Sequence, residues 1–311
     1  MYYPLLRGKL NELLAIRETL PKLHANGRIC PIIEPVTSGT SRLVACLTAI
    51  KGQIPHVVLV NPSVGKLKRP AGAVDPLIAP FLVAGNNLIP GFNIGKTTTL
   101  PQLNSFLNTY RNRKVMLLFC DPPAWFASLP AALRSLPVSP ILAFVDGKVP
   151  ITHVATFAGF DLALIRDGFQ RKDRNDLYPR VSQFGDLHLT YAAAGYQGFG
   201  DYSIVGFTFR DGGGPAKTVT IHLTEDMPAR GPIIVNHFKS TSVTATSDTA
   251  GKFQEALNYL VAHLRASPRF LTYSTACAEF VGLHGRRHFP QLGPVKKLSM
   301  KHHLELMETL V

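Results

Sequence analysis

The chain is short of several things, and each shortage excludes something. Among its 311 residues no apolar run reaches the roughly 18 positions that a membrane-crossing helix requires, so no membrane partner is expected. The four cysteines, Cys30, Cys46, Cys120 and Cys277, form no CxxC pair, and they read as small buried hydrophobes. Cys120, at the end of an apolar run beside Asp121, is the best candidate for a reactive thiol. Charged residues make up only 17% of the chain against 46% hydrophobic, a balance that excludes disorder. The N-terminus lacks the basic-then-apolar layout of a signal peptide, since Arg7 and Lys9 follow Leu5 and Leu6 directly, and a cytoplasmic location is expected. Acids are scarce too: 20 Asp and Glu face 33 Lys and Arg, for a net charge of +13. An anionic partner suits that excess, whether nucleic acid, a phosphorylated small molecule or an acidic protein.

What is present is a beat of apolar runs with polar ends. It starts at residues 2–9, continues at 29–34, 56–61, 87–93, 115–121, 140–146 and 161–167, and offers an eighth run at 201–206. Spacings of about 20 to 30 residues match one strand plus one helix of a (β/α)8 barrel, and continuous apolar strands are what a parallel sheet buried on both faces requires. Helical segments are expected between the runs, at 41–49, 76–83, 100–110, 122–136 and 151–158. Thr97, Thr98 and Thr99 offer a helix cap.

The beat fails after Arg166. Residues 175–184 read as a turn or two of helix. Residues 186–191, 217–223 and 232–238 alternate like half-exposed strands, the last two as a hairpin. A glycine turn is expected at 211–215, a Ser/Thr-rich surface loop at 240–249, and helices at 250–265, 271–283 and 299–310. The fold class predicted is α/β, a TIM-like (β/α)8 barrel with a late β-hairpin insertion and C-terminal helices. It is divided into barrel elements (1–206), hairpin and loop (207–248) and helices (249–311) of one domain.

In a barrel of this kind the active site is built at the carboxyl ends of the strands. Arg7, Lys9, Glu34, Asn61, Asn93, Asp121, Asp146, Arg166 and Asp167 all lie at such ends and would gather on one rim, where cations and amides can hold an anion and a carboxylate or amine can move a proton. Lys9 and Glu34, with Asp201 near the last strand, are the candidate catalytic residues. Arg7, Asn61, Asn93, Asp121, Asp146, Arg166 and Asp167 are candidate ligand-binding residues, together with His237, which shares adjacent strand-like runs with His222. Gly95-Lys96-Thr97 is not a phosphate loop, because the required upstream glycine position is Pro90. No HExxH pattern appears, and His302 and His303, about 100° apart on one helix, do not easily face one site. No metal or cofactor is identified.

The segments 3–9 (YPLLRGK), 31–35 (PIIEP), 198–206 (GFGDYSIVG), 221–223 (IHL), 237–238 (HF), 251–253 (GKF), 293–299 (GPVKKLS) and 302–306 (HHLEL) together resemble the bacterial and phage "beta protein" family over nearly the whole chain. That resemblance implies a barrel-like fold, a place in phage–host conflict and a small nuclease-like protein partner. It supplies no catalytic residues, although Arg7, Lys9, Glu34, Asp201 and His237 fall within its motifs. Three functions follow as expectations. The first is a binding subunit for a phosphate-rich ligand, nucleic acid or nucleotide. The others are an enzyme acting on a small phosphorylated or nucleotide substrate at the strand ends, and a scaffold for the nuclease-like partner.

Overall fold

A computed structural model describes the chain apart from residues 69–71, 213–216 and 243–246 and the side chains of residues 26 and 151. Parts of the expected glycine turn and of the Ser/Thr-rich loop lie outside the described residues. The chain divides into two compact units. The first comprises residues 1–9, 27–166 and 190–201, the second residues 10–26, 167–189 and 202–311.

The first unit is the parallel barrel. Its strands are β1 (Leu5–Leu6), β2 (Ile32–Ile33), β3 (His56–Leu59), β4 (Leu88–Ile94), β5 (Met116–Phe119), β6 (Ile141–Val145) and β7 (Asp161–Ile165). One strand of the other unit intervenes in the chain, β8 (Val181–Gly185), before the eighth barrel strand, β9 (Gly198–Gly200). The sheet order is β1-β2-β3-β4-β5-β6-β7-β9, every pair parallel. Every residue of β3, β5 and β6 is buried, which is why these segments are apolar without alternation.

The ends of the sheet meet through Tyr2, which bridges to both Ile29 and Phe199, and through the bonds Tyr3 N to Phe199 O and Leu5 N to Asp201 O, both 2.8 Å. The eighth strand therefore precedes the expected 201–206, where the chain turns instead. Its glycines look like turn residues in sequence, yet they are what lets the ring close. A Cβ on Gly200 would run into the carbonyl oxygen of Tyr3, and one on Gly198 into the Tyr3 ring. Gly200→Ala should destabilise the barrel by roughly 1–3 kcal/mol, the usual range for overpacking, which a denaturant titration would measure; an unchanged midpoint would show that the seam can open without loss.

Between the barrel strands lie α2 (Ser41–Ile50), α3 (Asp75–Ile78), α4 (Leu100–Thr109), α5 (Leu129–Arg134) and α6 (Ile151–Val154). They follow α1 (Leu10–Asn26), which itself belongs to the second unit. The expected cap is present at α4, where Thr99 and Gln102 form a reciprocal capping box.

In the second unit β8 joins β10 (Thr220–Asp226) and β11 (Ile233–Lys239) in an antiparallel sheet of order β10-β11-β8. The hairpin is as expected and gains a third strand from residues read as helical, of which only Asn175–Leu177 makes a 3₁₀ turn. The alternation at 186–191 does not form a strand: Gly185, at φ +145°, ends β8, and the short α7 (Leu187–Thr190) follows.

One face of this sheet, Val219, Ile221 and Leu223, packs into a core with Phe253, Leu257 and Phe280. The helices are α8 (Thr249–Ala266), α9 (Arg269–Tyr273), α10 (Thr275–Gly285) and α11 (Leu292–Leu310). The single helix expected at 271–283 is broken at Ser274, whose hydroxyl accepts from the Cys277 amide at 3.2 Å as the cap of α10. α1 runs along α11, tied by the Lys297–Glu18 ion pair at 2.7 Å.

Candidate functional site

The barrel's strand ends hold a tight polar cluster. Arg7 follows β1, Glu34 follows β2, and their side chains form an ion pair with almost no exposure, 8% and 1%. The other oxygen of Glu34, Oε1, accepts from the Ser63 amide at 2.6 Å, the Ser63 hydroxyl at 2.7 Å and Asn93 Nδ2 at 3.5 Å. Asn61 and Asn93 lock β3 to β4 reciprocally: Asn93 N donates to Asn61 Oδ1 at 2.7 Å and Asn61 Nδ2 donates to Asn93 O at 2.9 Å. Arg7, Glu34, Asn61 and Asn93 are thus brought together as expected. Ser63, which the sequence does not single out, completes the set.

Cys120 lies at the edge of the cluster, its Sγ 3.6 Å from Asn93 Oδ1. Burial, then the Glu34 carboxylate, push its thiol up to about 12. It is therefore a protonated thiol at neutral pH and a poor nucleophile, since the thiolate is the reactive form.

The remaining rim residues are more dispersed. Asp146 and Arg166 form a half-exposed ion pair at 2.7 Å, Asp121 is exposed, and Lys9 is half-buried. Asp201 is buried and accepts the Tyr2 hydroxyl at 2.9 and 3.0 Å on its two oxygens, a contact at the seam where the ring closes. Asp167 and His237 belong to the second unit. Asp167 accepts from the Phe169 amide at 3.1 Å and the Phe207 amide at 2.8 Å, pinning two loops of that unit to each other.

Those loops border a cavity of about 230 Å³ within the second unit. Arg171 and Lys172 reach it from the segment after β7, Arg210 from the segment after β9, His222 from β10 and Lys296 from α11, and Tyr178 closes one side. Among the described lining residues Asp173 is the one carboxylate, against four cations, and it pairs with Arg210 at 2.6 Å. Arg171 donates to Thr208 O at 3.1 Å, which holds its guanidinium between the two loops.

Behind the wall runs a chain of side chains. His222 Nδ1 lies 2.7 Å from His237 Nδ1, and His237 Nε2 lies 2.8 Å from Ser182 Oγ. The Tyr178 ring packs on both imidazoles, with centroids 4.6 and 4.7 Å away. Burial lowers the pKa of His237 to about 4, helped by Lys239 and Lys172. Burial, His237 and Lys296 put that of His222 well below the ordinary histidine value. Both rings are therefore neutral at physiological pH.

The sequence displays the basic clusters at 171–174 and 296–301 and the paired strand histidines. It does not show that they meet, because the loops carrying them are distant in the chain. Arg210 is missed as an isolated cation, and Ser182 because its strand is read as helix.

His302 and His303 are both fully buried. Contrary to expectation they converge on one residue: His302 Nε2 contacts Thr224 O at 2.7 Å and His303 Nδ1 contacts Thr224 Oγ1 at 3.1 Å. Among the described residues no group of three or more His, Cys, Asp or Glu could hold a metal ion, and no helix is long and apolar enough to cross a membrane. No family model matches the chain, and neither does a curated protein or a solved structure.

Proposed function

We propose that the protein binds a phosphate-bearing anion, nucleotide or nucleic acid, and does so in the cavity of the second unit. The observation that carries this reading is the convergence of Arg171, Lys172, Arg210 and Lys296 on one half-open cavity with a single opposing carboxylate. Like charges brought together around one cavity repel one another, and an anion relieves that repulsion. Arginine presents a planar fork suited to phosphate oxygens and lysine a compact charge, so the set offers both kinds of contact. The resemblance to the beta protein family makes phage–host conflict the setting, with a nuclease-like protein as partner.

The test is a calorimetric titration of the full chain with inorganic phosphate and with a nucleotide, repeated at increasing salt. Binding should weaken steadily as salt rises. Lys172→Ala and Lys296→Ala should each lower affinity by about tenfold or more, as loss of a charge-assisted contact does. Affinity indifferent to both substitutions would remove the cavity as the site.

A second reading, chemistry at the barrel's strand ends, draws on the buried Arg7–Glu34 pair. An ion pair withdrawn from water is costly to maintain, and in barrels of this kind such positions host catalysis.

A further inference from the structure

The cavity and the histidine chain behind it, taken together, narrow the ligand. The Nδ1–Nδ1 bond between His222 and His237 can contain one proton only, since both rings are neutral. The direction of the Ser182 Oγ–His237 Nε2 bond follows the tautomer; in the arrangement proposed here Ser182 is the donor, and His237 then donates from Nδ1. His222 then accepts at Nδ1 and carries its own proton on Nε2. With Nδ1 engaged by His237, Nε2 is the polar atom His222 has left for a ligand in the cavity it lines. The charged and titratable groups around His222 are Lys296 on α11, Arg171, Lys172, Asp173 and Tyr178 on the 169–178 segment, Arg210, and His237 on β11. In that strongly cationic setting a neutral donor adds a hydrogen bond without a further like charge.

We propose that the cavity takes a terminal phosphate monoester as its dianion, in preference to the diester of a nucleic-acid backbone, with His222 as a neutral hydrogen-bond donor whose proton is placed by the Ser182–His237 chain. The inference rests on the phosphate-binding reading above and selects within it. Two observations support the choice. A volume of about 230 Å³ lies under the roughly 300–1,000 Å³ of pockets that engulf drug-sized ligands. It therefore suits a phosphate with a small part of its carrier, whereas a mid-chain diester brings a nucleotide on each side. Four cations against one carboxylate also exceed what a singly charged diester calls for, while a monoester carries close to two charges at neutral pH, its second pKa being about 6.

The experiment compares inorganic phosphate, a nucleoside 5′-monophosphate and dimethyl phosphate as ligands of the full chain by calorimetry near neutral pH. Phosphate and the monoester should bind at least about tenfold tighter than dimethyl phosphate. His222→Phe should lower monoester affinity by about tenfold and leave the diester unaffected, whereas His222→Gln, which keeps a donor, should retain most of the monoester affinity. Nitrogen-15 NMR of the bound wild-type protein should place the His222 proton on Nε2, and Ser182→Ala should shift that tautomer balance. Equal affinity for phosphate and dimethyl phosphate, or an equal loss of both in His222→Phe, overturns the inference while leaving phosphate binding intact. Failure of all three ligands to bind would instead remove the phosphate-binding reading itself.

Discussion

Glu34→Ala should lower the stability of the protein by roughly 3–5 kcal/mol, the usual result of removing one partner from a buried ion pair. The cause is less the lost attraction than what remains. Arg7 would keep its charge with 8% side-chain exposure and lose its carboxylate, while the Ser63 amide and hydroxyl, now 2.6 and 2.7 Å from Oε1, would lose their acceptor. The amides of Asn61 and Asn93 would still hold β3 to β4, so the damage should centre on the ends of β1 and β2. Equilibrium denaturation of the variant checks this. A double replacement, Arg7→Met with Glu34→Leu, should recover the part of the loss that comes from the unpaired Arg7 charge, because an apolar pair of similar volume often replaces a buried ion pair at little cost, while the Ser63 donors stay without their acceptor. If the single variant loses less than about 1 kcal/mol, the range of exposed pairs, water reaches the pair and the rim is more open than its burial indicates.

Glu305→Ala should be a strongly damaging change in the second unit. This carboxylate is 1% exposed and serves the start of α10. It accepts from Ser274 Oγ at 2.8 Å, from the Thr275 and Ala276 amides at 3.1 and 3.2 Å, and from the Thr275 hydroxyl. The first amides of a helix have no partner within it, and a negative charge there also meets the positive end of the helix dipole. Removing it strands several buried donors at about 1–3 kcal/mol each, so a loss of roughly 3 kcal/mol or more is expected. Glu305→Gln keeps one acceptor oxygen and should lose about half as much. A denaturant titration of both variants reads the difference, and equal losses would show that charge, not the number of acceptors, is what the helix start requires.

These two residues show what is legible in a sequence of this kind. Glu34 is visible because it ends an apolar run, and a strand buried on both faces announces itself by having no alternation. The runs at 56–61, 115–121 and 140–146 become β3, β5 and β6 for that reason. Glu305 is invisible, since its partners lie on a helix whose start is set by a break at Ser274 that periodicity alone does not reveal. β9 is hidden because two of its three residues are glycines, required by the close approach of Tyr3 and read as turn formers without it. β8 is hidden because it is an edge strand with partly exposed side chains on both faces, where the pattern that marks a strand is weakest. The rim residues are legible from their position in the fold. The cavity is not, because Arg171, Arg210, His222 and Lys296 come from four separate segments and no local motif links them.

The assignment of α1 to the second unit bears on how the chain is made. β1 enters the barrel, but the helix that follows it has to wait for α11, far further along the chain, before its long-term neighbour exists. Neither body corresponds to one uninterrupted length of chain, so the two are not made one after the other in the manner of beads on a string. Cutting the chain anywhere between residues 10 and 201 would leave both halves missing a piece that only the other can provide.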